Sequence, residues 1–132
     1  MGLGSTVRTI ILGDPAVAAL VGTRVYPKIL PQSPTLPAIT YQRISRVSVA
    51  DHLTGAGSLG RPRVQVDAWA STDAAAETLG AAVKARLNGF KGTVAGEGDV
   101  KRIALETEGG QFDAELLLHR HTADYFVWHE EV

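Results

Sequence analysis

The sequence predicts an α+β domain of two layers, in which a mainly antiparallel sheet of about four strands carries helices packed on one face. Residues 61–90 supply the first observation, because an alternating strand pattern runs there directly into an amphipathic helical pattern. The second is that neighbouring strand patterns are joined by hairpin-like loops. Strands joined in this way pair antiparallel, and helices on one face complete the second layer.

The N-terminal part of the chain predicts two short helices. Residues 1–13 are either a flexible segment or a short helix over residues 5–12, since Val7, Ile10 and Ile11 give an apolar side that Gly13 ends. Asp14-Pro15 then begins a second helix, with Asp as the cap and Pro at the first helical position. At barely two turns this helix must dock on another element to persist.

The next segment predicts a loop followed by the first strand. Four prolines within residues 27–37 exclude a central strand or a helix there, so we expect a loop or an edge segment. Residues 38–49 alternate as a strand, and Arg43 and Ile44 break the alternation, which leaves room for a bulge or a solvated patch. Residues 51–60 exceed the length that a hairpin needs, and excess length in a loop tends to be functional or mobile.

The central strand and helix give the firmest pattern. Val64, Val66 and Ala68 alternate with polar residues, and Ser71-Thr72-Asp73 then offers a helix cap. The predicted helix has one apolar face, made of Ala76, Leu79, Val83, Leu87 and Phe90. Asn88-Gly89 ends it, because Gly takes a left-handed conformation readily.

The remainder of the chain predicts two further strands. Residues 91–99 form a glycine-rich loop, residues 100–106 a short strand, residues 107–114 a turn around Gly109-Gly110, and residues 115–129 a long last strand. Residues 1–132 therefore form a single domain, since 132 residues suit one domain of about 100–200 residues and no internal boundary is visible.

Composition excludes several classes of function. The sequence has no cysteine, so neither disulfides nor thiolate chemistry is expected. Its 13 basic and 14 acidic residues are well mixed, which excludes a basic nucleic-acid footprint across the whole chain. No apolar run approaches the roughly 18 residues of a membrane span, and the N-terminus is not a secretion signal, so we expect a soluble protein made in a cytoplasm.

Two sets of residues could carry chemistry. His119 and His121 share one strand face and could ligate zinc, but a third ligand at a suitable spacing is missing. We therefore predict no metal and expect a solvated or interfacial strand face instead. Asp67 and Asp124 could form a carboxylate pair if their strands are neighbours. The stronger expectation is that each pairs with an arginine, from the set Arg43, Arg63 and Arg120.

A glycine motif at residues 55–60 has the spacing of a dinucleotide fingerprint. That fingerprint requires a strand before it and a helix after it, whereas a strand follows here, so we reject it. We predict no catalytic residue and no cofactor.

Three large aromatic residues fall on the sheet face that a two-layer monomer would leave exposed to solvent. Trp69, Phe126 and Trp128 have the parity opposite to the aliphatic residues of their strands, so they fall among polar groups on the face away from the central helix. Large aromatics among polar groups are typical of protein interfaces. The alternative is that the N-terminal helices cover this face. The candidate assembly interface comprises Asp51, His52, Leu53, Leu59, Trp69, Phe126 and Trp128.

Four stretches of the chain resemble the tail-completion proteins of long-tailed phages, also called tail terminators or head-to-tail joining proteins. They are Leu-Val-Gly-Thr-Arg-Val-Tyr-Pro at 20–27, Leu-Pro-Ala-Ile-Thr-Tyr-Gln-Arg at 36–43, Arg-Val-Gln-Val-Asp-Ala-Trp-Ala at 63–70 and Asp-Tyr-Phe-Val-Trp-His at 124–129. The order of the loops and the Ala-rich helix after Trp69 match as well.

The resemblance implies a structural protein whose copies form a ring, typically a hexamer, at the head-proximal end of the tail. Such a ring caps the tail-tube protein and meets the head connector, and gene transfer agents carry relatives. It implies a place in the virion, with the host cytoplasm during assembly, and DNA passing through the ring without sequence-specific contacts or any membrane. No active site or cofactor comes with the family. The alternative is a small enzymatic or ligand-binding α+β domain that uses a His/Asp face of the sheet.

Overall fold

A computed structural model gives the fold and describes residues 3–45, 59–60, 62–94 and 98–130. Within those ranges the helices are α1 (Leu3–Leu12), α2 (Pro15–Val21) and α3 (Asp73–Leu87). The strands are β1 (Val25–Pro27), β2 (Ala38–Ser45), β3 (Leu59–Gly60), β4 (Arg63–Ala70), β5 (Gly92–Val94), β6 (Gly98–Asp113) and β7 (Leu118–Glu130). None of the described helices is long and apolar enough to cross a membrane.

The strands form one mixed sheet in the order β1-β2-β4-β7-β6-β5, with β3 added beside the end of β7. All neighbouring pairs are antiparallel except β1 and β2, which are parallel. The α+β class and the mainly antiparallel sheet are therefore confirmed. The expected number of about four strands is too low, because β1, β3 and β5 have only two or three residues each, too few to show an alternating pattern in the sequence.

All three helices contribute to one core on the same side of the sheet, which we call the inner face. Val7 of α1, Val17 of α2 and Leu87 of α3 belong to the same buried cluster as Val64 and Tyr125 of the central strands. The expectation that helices pack on one face is therefore met. The alternative, in which the N-terminal helices cover the aromatic face, is wrong.

The predicted starts of α2 and α3 are confirmed by their caps. The Asp14 carboxylate accepts a hydrogen bond from the Val17 backbone N–H, at 3.3 Å, and Pro15 is the first residue of α2. The Thr72 hydroxyl accepts from the Ala75 backbone N–H, at 3.1 Å, where α3 begins. Gly89, with a φ of 84°, follows the end of α3 as the sequence predicted.

The first strand of the sequence prediction, at residues 38–49, agrees with β2 where the structure describes it. A register shift between Arg43 and Ser45 corresponds to the bulge, one of the two alternatives that the sequence left open there. Residues 46–58 lie outside the described part of the chain, and they include the end of the predicted strand and most of the long loop. Asp51, His52 and Leu53 of the candidate interface are among them.

The predicted turn at residues 107–114 is wrong, because β6 continues through both glycines to Asp113. Gly109 pairs with Thr122 and Gly110 with His121 across the ladder. A side chain at Gly110 would meet the Glu77 carboxylate of α3, with Cβ only 3.0 Å from its Oε1. The turn lies instead at residues 114–117, which the Asp113 side chain stabilises by accepting hydrogen bonds from the two backbone N–H groups of Glu115 and Leu116.

Candidate assembly surface on the outer sheet face

The sheet face opposite the helices, which we call the outer face, carries the polar and aromatic residues of β4 and β7. Antiparallel register places Trp69 beside Arg120, Asp67 beside Thr122, Gln65 beside Asp124 and Arg63 beside Phe126. Residues that face each other across an antiparallel ladder share a side of the sheet, and parity adds Trp128 to the same face. The sequence prediction of a mixed aromatic and polar face is therefore confirmed.

Trp69 is not the solvent-facing tryptophan that the sequence suggested, because only 7% of its surface is exposed. Its indole Nε1 donates a hydrogen bond to the Thr40 hydroxyl, at 2.9 Å. The Arg120 guanidinium lies over its ring, 5.1 Å from the centroid. Trp69 is therefore packed and hydrogen-bonded within the protomer, and it is not exposed on a solvated sheet face.

A cleft of about 710 Å³ lies over Trp69, and we call it the Trp69 cleft. The connection between β1 and β2 forms one wall, the turn between β6 and β7 forms the other, and the outer face is its floor. The lining residues are Lys28, Ile29, Leu30, Pro31, Gln32, Ser33, Pro34, Leu36, Gln42, Gln65, Asp67, Trp69, Asp113, Leu116, Leu118 and Arg120. Ile29, 77% exposed, and Leu116, 53% exposed, stand at its rim.

Phe126 and Trp128 lie toward the other end of β7 and are half-buried. Their ring centroids are 6.0 Å apart, and the guanidinium of Arg102 on β6 lies 5.6 Å from the Trp128 ring centroid. A tilted aromatic pair with a cation over one of its rings presents an amphipathic surface. Leu59 of the candidate interface belongs to β3, whose partner residue Glu130 lies two positions beyond Trp128.

Asp67 and Asp124 each have an arginine, as the sequence predicted. Arg63 binds Asp124 at 2.6 Å, and an Arg120 nitrogen lies 3.8 Å from the Asp67 carboxylate. Gln65 donates to both Asp67 oxygens, at 3.2 and 3.1 Å. Burial nevertheless raises the pKa of Asp67 above its ordinary value, because desolvation of the carboxylate outweighs the hydrogen bonds and the nearby cation.

A second cleft, of about 260 Å³, continues along the outer face beside Asp124, and we call it the Asp124 cleft. Its lining residues are Gln65, Thr107, Glu108, Gly109, Gln111, Thr122 and Asp124. Sequence reasoning missed Gln65 and Thr122 as members of a site. The alternation of the strands places both residues on the outer face with the two aspartates. Isolated polar residues on a strand are common, however, and do not by themselves indicate a site.

The histidines lie on the inner face, so the expected solvated or interfacial face is wrong for His121. Only 5% of its surface is exposed, and its Nε2 lies 3.1 Å from the Glu108 carboxylate. Gly80 of α3 makes room for the ring. Glu108 also accepts a hydrogen bond from Lys84, at 2.8 Å, which is the main reason that its pKa is lowered.

His119 and His121 therefore lie on the opposite face of the sheet from Asp67 and Asp124, and a site that combines them does not form. Within the described ranges, no group of three or more His, Cys, Asp or Glu residues is placed to hold a metal ion.

Comparison with known proteins bears on the fold and on the family of the chain. One structural match is to a chain of the "Virion of native gene transfer agent (GTA) particle", with a TM-score of 0.79 and 18% sequence identity, covering 98% of this chain and 95% of that one. At that identity the likeness shows the fold. A search of curated proteins gives no match. The family model described as "Tail completion protein gp17" matches residues 5–130, nearly the whole sequence. The chain therefore belongs to the tail completion protein gp17 family of structural virion proteins.

Proposed function

We propose that this protein closes the head-proximal end of a phage or phage-like tail by forming a ring, most simply a hexamer. The ring caps the tail tube and joins it to the head connector. The observation that carries the proposal is the family match over residues 5–130. DNA then passes through the ring, and binding to it needs no sequence-specific contacts.

The outer face supplies surfaces suited to assembly. Phe126 and Trp128 are half-buried aromatics, with the Arg102 guanidinium over the Trp128 ring, and interfaces are enriched in aromatic residues and arginine relative to the rest of a protein surface. Apolar side chains at the rim of the Trp69 cleft add a second region. The interface that we propose comprises these aromatics together with residues 51–53 and Leu59, which the sequence places in the same long connection.

Light scattering after size-exclusion chromatography tests ring formation directly. We expect the purified chain, with its tail-tube protein present, to elute as a complex that contains a fixed number of copies. The protein alone is the control for self-association. A chain that stays monomeric and does not bind tail tubes under any of these conditions would contradict the proposal.

The capping role has its own test in particles that lack the gene. We expect tailless heads and overlong or unjoined tails in electron micrographs, and a plasmid copy of the gene should restore complete particles. Joined tails of normal length in the deletion would show that another protein caps the tube.

A further inference from the structure

The side of β6 that points away from β7 has backbone groups open to another strand. Val127 donates its N–H to the Pro62 carbonyl, so alternate residues of β7 back to position 119 also direct their backbone groups toward β4. The residues of β6 opposite them therefore direct their own N–H and C=O groups away from β7. These residues are Glu108, Gly110 and Phe112. No described residue pairs with their backbone, and we call this stretch the open edge of β6.

The neighbouring parts of the sheet boundary are closed. Near the start of β6, Ile103 donates its N–H to the Phe90 carbonyl, at 3.0 Å, and β5 pairs with residues 98–100. On the opposite side of the sheet, Pro27 of β1 has no N–H, and Arg8 donates to the Val25 carbonyl, at 3.1 Å. The open edge of β6 is therefore a local feature of the sheet boundary.

A second open position lies on the opposite side of the sheet, where β2 runs past β1. The pairing with β1 covers only Ile39–Tyr41 of β2. Tyr41 accepts a hydrogen bond from the Lys28 N–H, at 2.8 Å, so the backbone groups of alternate β2 residues point to this side. Arg43 is the next such residue, and no described residue pairs with its backbone. Arg43 and Ile44 are both exposed.

The two sides of the sheet carry opposite charge. Residues 15–50, which include β1 and β2, have four basic residues and no acidic one. Residues 103–118, which include the open edge of β6 and the turn after it, have four acidic residues and no lysine or arginine. The bases are Arg24, Lys28, Arg43 and Arg46, and the acids are Glu106, Glu108, Asp113 and Glu115. Strands β4 and β7 separate the two sides.

Some of these charges have no partner within the protomer. Glu106 binds Arg63 and Glu108 binds Lys84, whereas the exposed side chains of Arg43 and Glu115 form no ion pair with any described residue. Unpaired charges of opposite sign on opposite sides of one molecule are complementary between two copies of it.

We propose that the open edge of β6 in one copy of this chain docks against the β1–β2 side of the next copy, beside Arg43. Each protomer then carries both halves of the contact. A contact between two different patches repeats head to tail and can close into a ring. Phe112, 54% exposed, and Ile44, 47% exposed, supply apolar area on the two sides. This inference rests on the proposed function, since it names strand edges through which copies of the ring meet, in addition to the aromatic residues of the outer face.

A contact between the open edges of two β6 strands fits the same observations less well. It would place the acidic segment 103–118 of one copy against the same segment of another, and like charges across a strand pair are destabilising. Such a contact also uses one patch twice, so it gives a dimer and leaves no surface for a ring.

Cross-linking tests the contact directly, because the chain has no cysteine and an introduced thiol is the only one present. Phe112→Cys and Ile44→Cys each place one thiol on one side of the contact. The variants are assembled under the conditions in which the natural protein forms its complex, and a bis-maleimide reagent is added. We expect covalent dimers from a mixture of the two variants, monomers from each variant alone, and a ladder of multimers from a chain that carries both changes. Ala81→Cys, at an exposed position of α3, replaces Ile44→Cys in the control mixture and should give no dimers.

Charge reversal tests the complementarity of the two sides. Arg43→Glu should raise the protein concentration that gives half-maximal assembly about tenfold or more, because a like charge then faces the acidic edge. Arg43→Lys, which keeps the charge, is the matched control and should assemble normally. Adding Glu115→Lys to Arg43→Glu should restore assembly in large part. Circular dichroism spectra establish that each variant is folded.

Three results would overturn the proposal. They are an assembled complex in which the mixed thiol variants do not cross-link, covalent dimers from Phe112→Cys alone, and normal assembly of Arg43→Glu. All three are compatible with the ring and the capping role, which light scattering of the natural protein and micrographs test separately. A natural protein that never associates would instead contradict the ring itself, and this contact with it.

Discussion

At the scale of single residues, Gly80 reverses the usual rule for glycine in a helix. Alanine at an interior helical position normally stabilises by about 1 kcal/mol relative to glycine. A Cβ at position 80 would overlap the imidazole ring of His121, which lies directly beneath α3. We therefore expect Gly80→Ala to lower the free energy of unfolding by about 1–3 kcal/mol, the usual cost of overpacking, measured by urea denaturation.

His121→Ala supplies the matched background for this test. With the ring absent, Gly80→Ala should become neutral or stabilising, and the double-mutant cycle then measures the steric coupling of the two positions. If Gly80→Ala lowers stability equally with and without the His121 ring, the added methyl group must clash with a group other than His121.

Asp67 predicts a specific dependence of stability on pH. Burial raises the pKa of its carboxyl, so between the ordinary value of about 3.9 and the higher folded value the native state binds more protons than the unfolded state. Stability contributed by this group therefore falls as pH rises through that window. Asp67→Asn, which stays neutral and can still accept from Gln65, should raise the urea midpoint at pH 7, with a gain that shrinks as pH falls toward about 3.9.

Asp99 is the control with the opposite sign. A hydrogen bond from Lys101 lowers the pKa of this carboxyl, so its contribution is present at neutral pH and is lost as pH falls through the folded pKa. Asp99→Asn should therefore lower the urea midpoint at pH 7 slightly. If Asp67→Asn behaves like Asp99→Asn, desolvation does not dominate at Asp67.

At the scale of elements, α3 joins the sheet through one apolar stripe. Leu79 and Leu87 are fully buried against the inner face. We expect Leu79→Ala and Leu87→Ala each to lower the free energy of unfolding by about 2–5 kcal/mol, as removal of a buried leucine does. The same change at Leu117, which is 71% exposed, is the matched control and should have little effect. Urea midpoints of Leu79→Ala and Leu87→Ala equal to that of the natural protein would mean that the apolar stripe of α3 does not pack against the sheet.

Elements whose signals are local were predictable from the sequence, and those that depend on distant partners were not. The caps at Asp14 and Thr72 and the stripe of α3 each lie within a few residues, so their patterns sufficed. Gly109 and Gly110 suggested a turn because local rules favour it, whereas the long ladder to β7 decides their conformation.

The same distinction explains what could be predicted of the outer face. Parity alone placed Trp69, Phe126 and Trp128 there. The burial of Trp69 depends on the connection between β1 and β2, about 35 positions earlier in the chain, and on the turn between β6 and β7. Local alternation cannot indicate which distant segment folds over a strand face, so the Trp69 cleft could be found only from the structure.

At the scale of the whole molecule, the two tryptophans should separate folding from assembly. Trp69 is buried and hydrogen-bonded to Thr40. Trp69→Ser should therefore cost about 3–5 kcal/mol of protomer stability, as loss of a buried tryptophan does. Trp128 is half-buried beside Phe126, so Trp128→Ser should leave a native-like circular dichroism spectrum and a smaller loss of stability.

Trp128→Ser should nevertheless prevent the completion of particles. An aromatic anchor at a subunit contact can contribute about 2 kcal/mol or more, and a symmetric ring repeats the loss at every equivalent contact. A small weakening of each interface therefore shifts the equilibrium from ring to protomer strongly. The measurements are the circular dichroism spectrum and the yield of joined tails in micrographs. A folded Trp128→Ser protein that completes particles normally would show that the ring closes through another surface, whereas its loss of fold would place Trp128 in the protomer core.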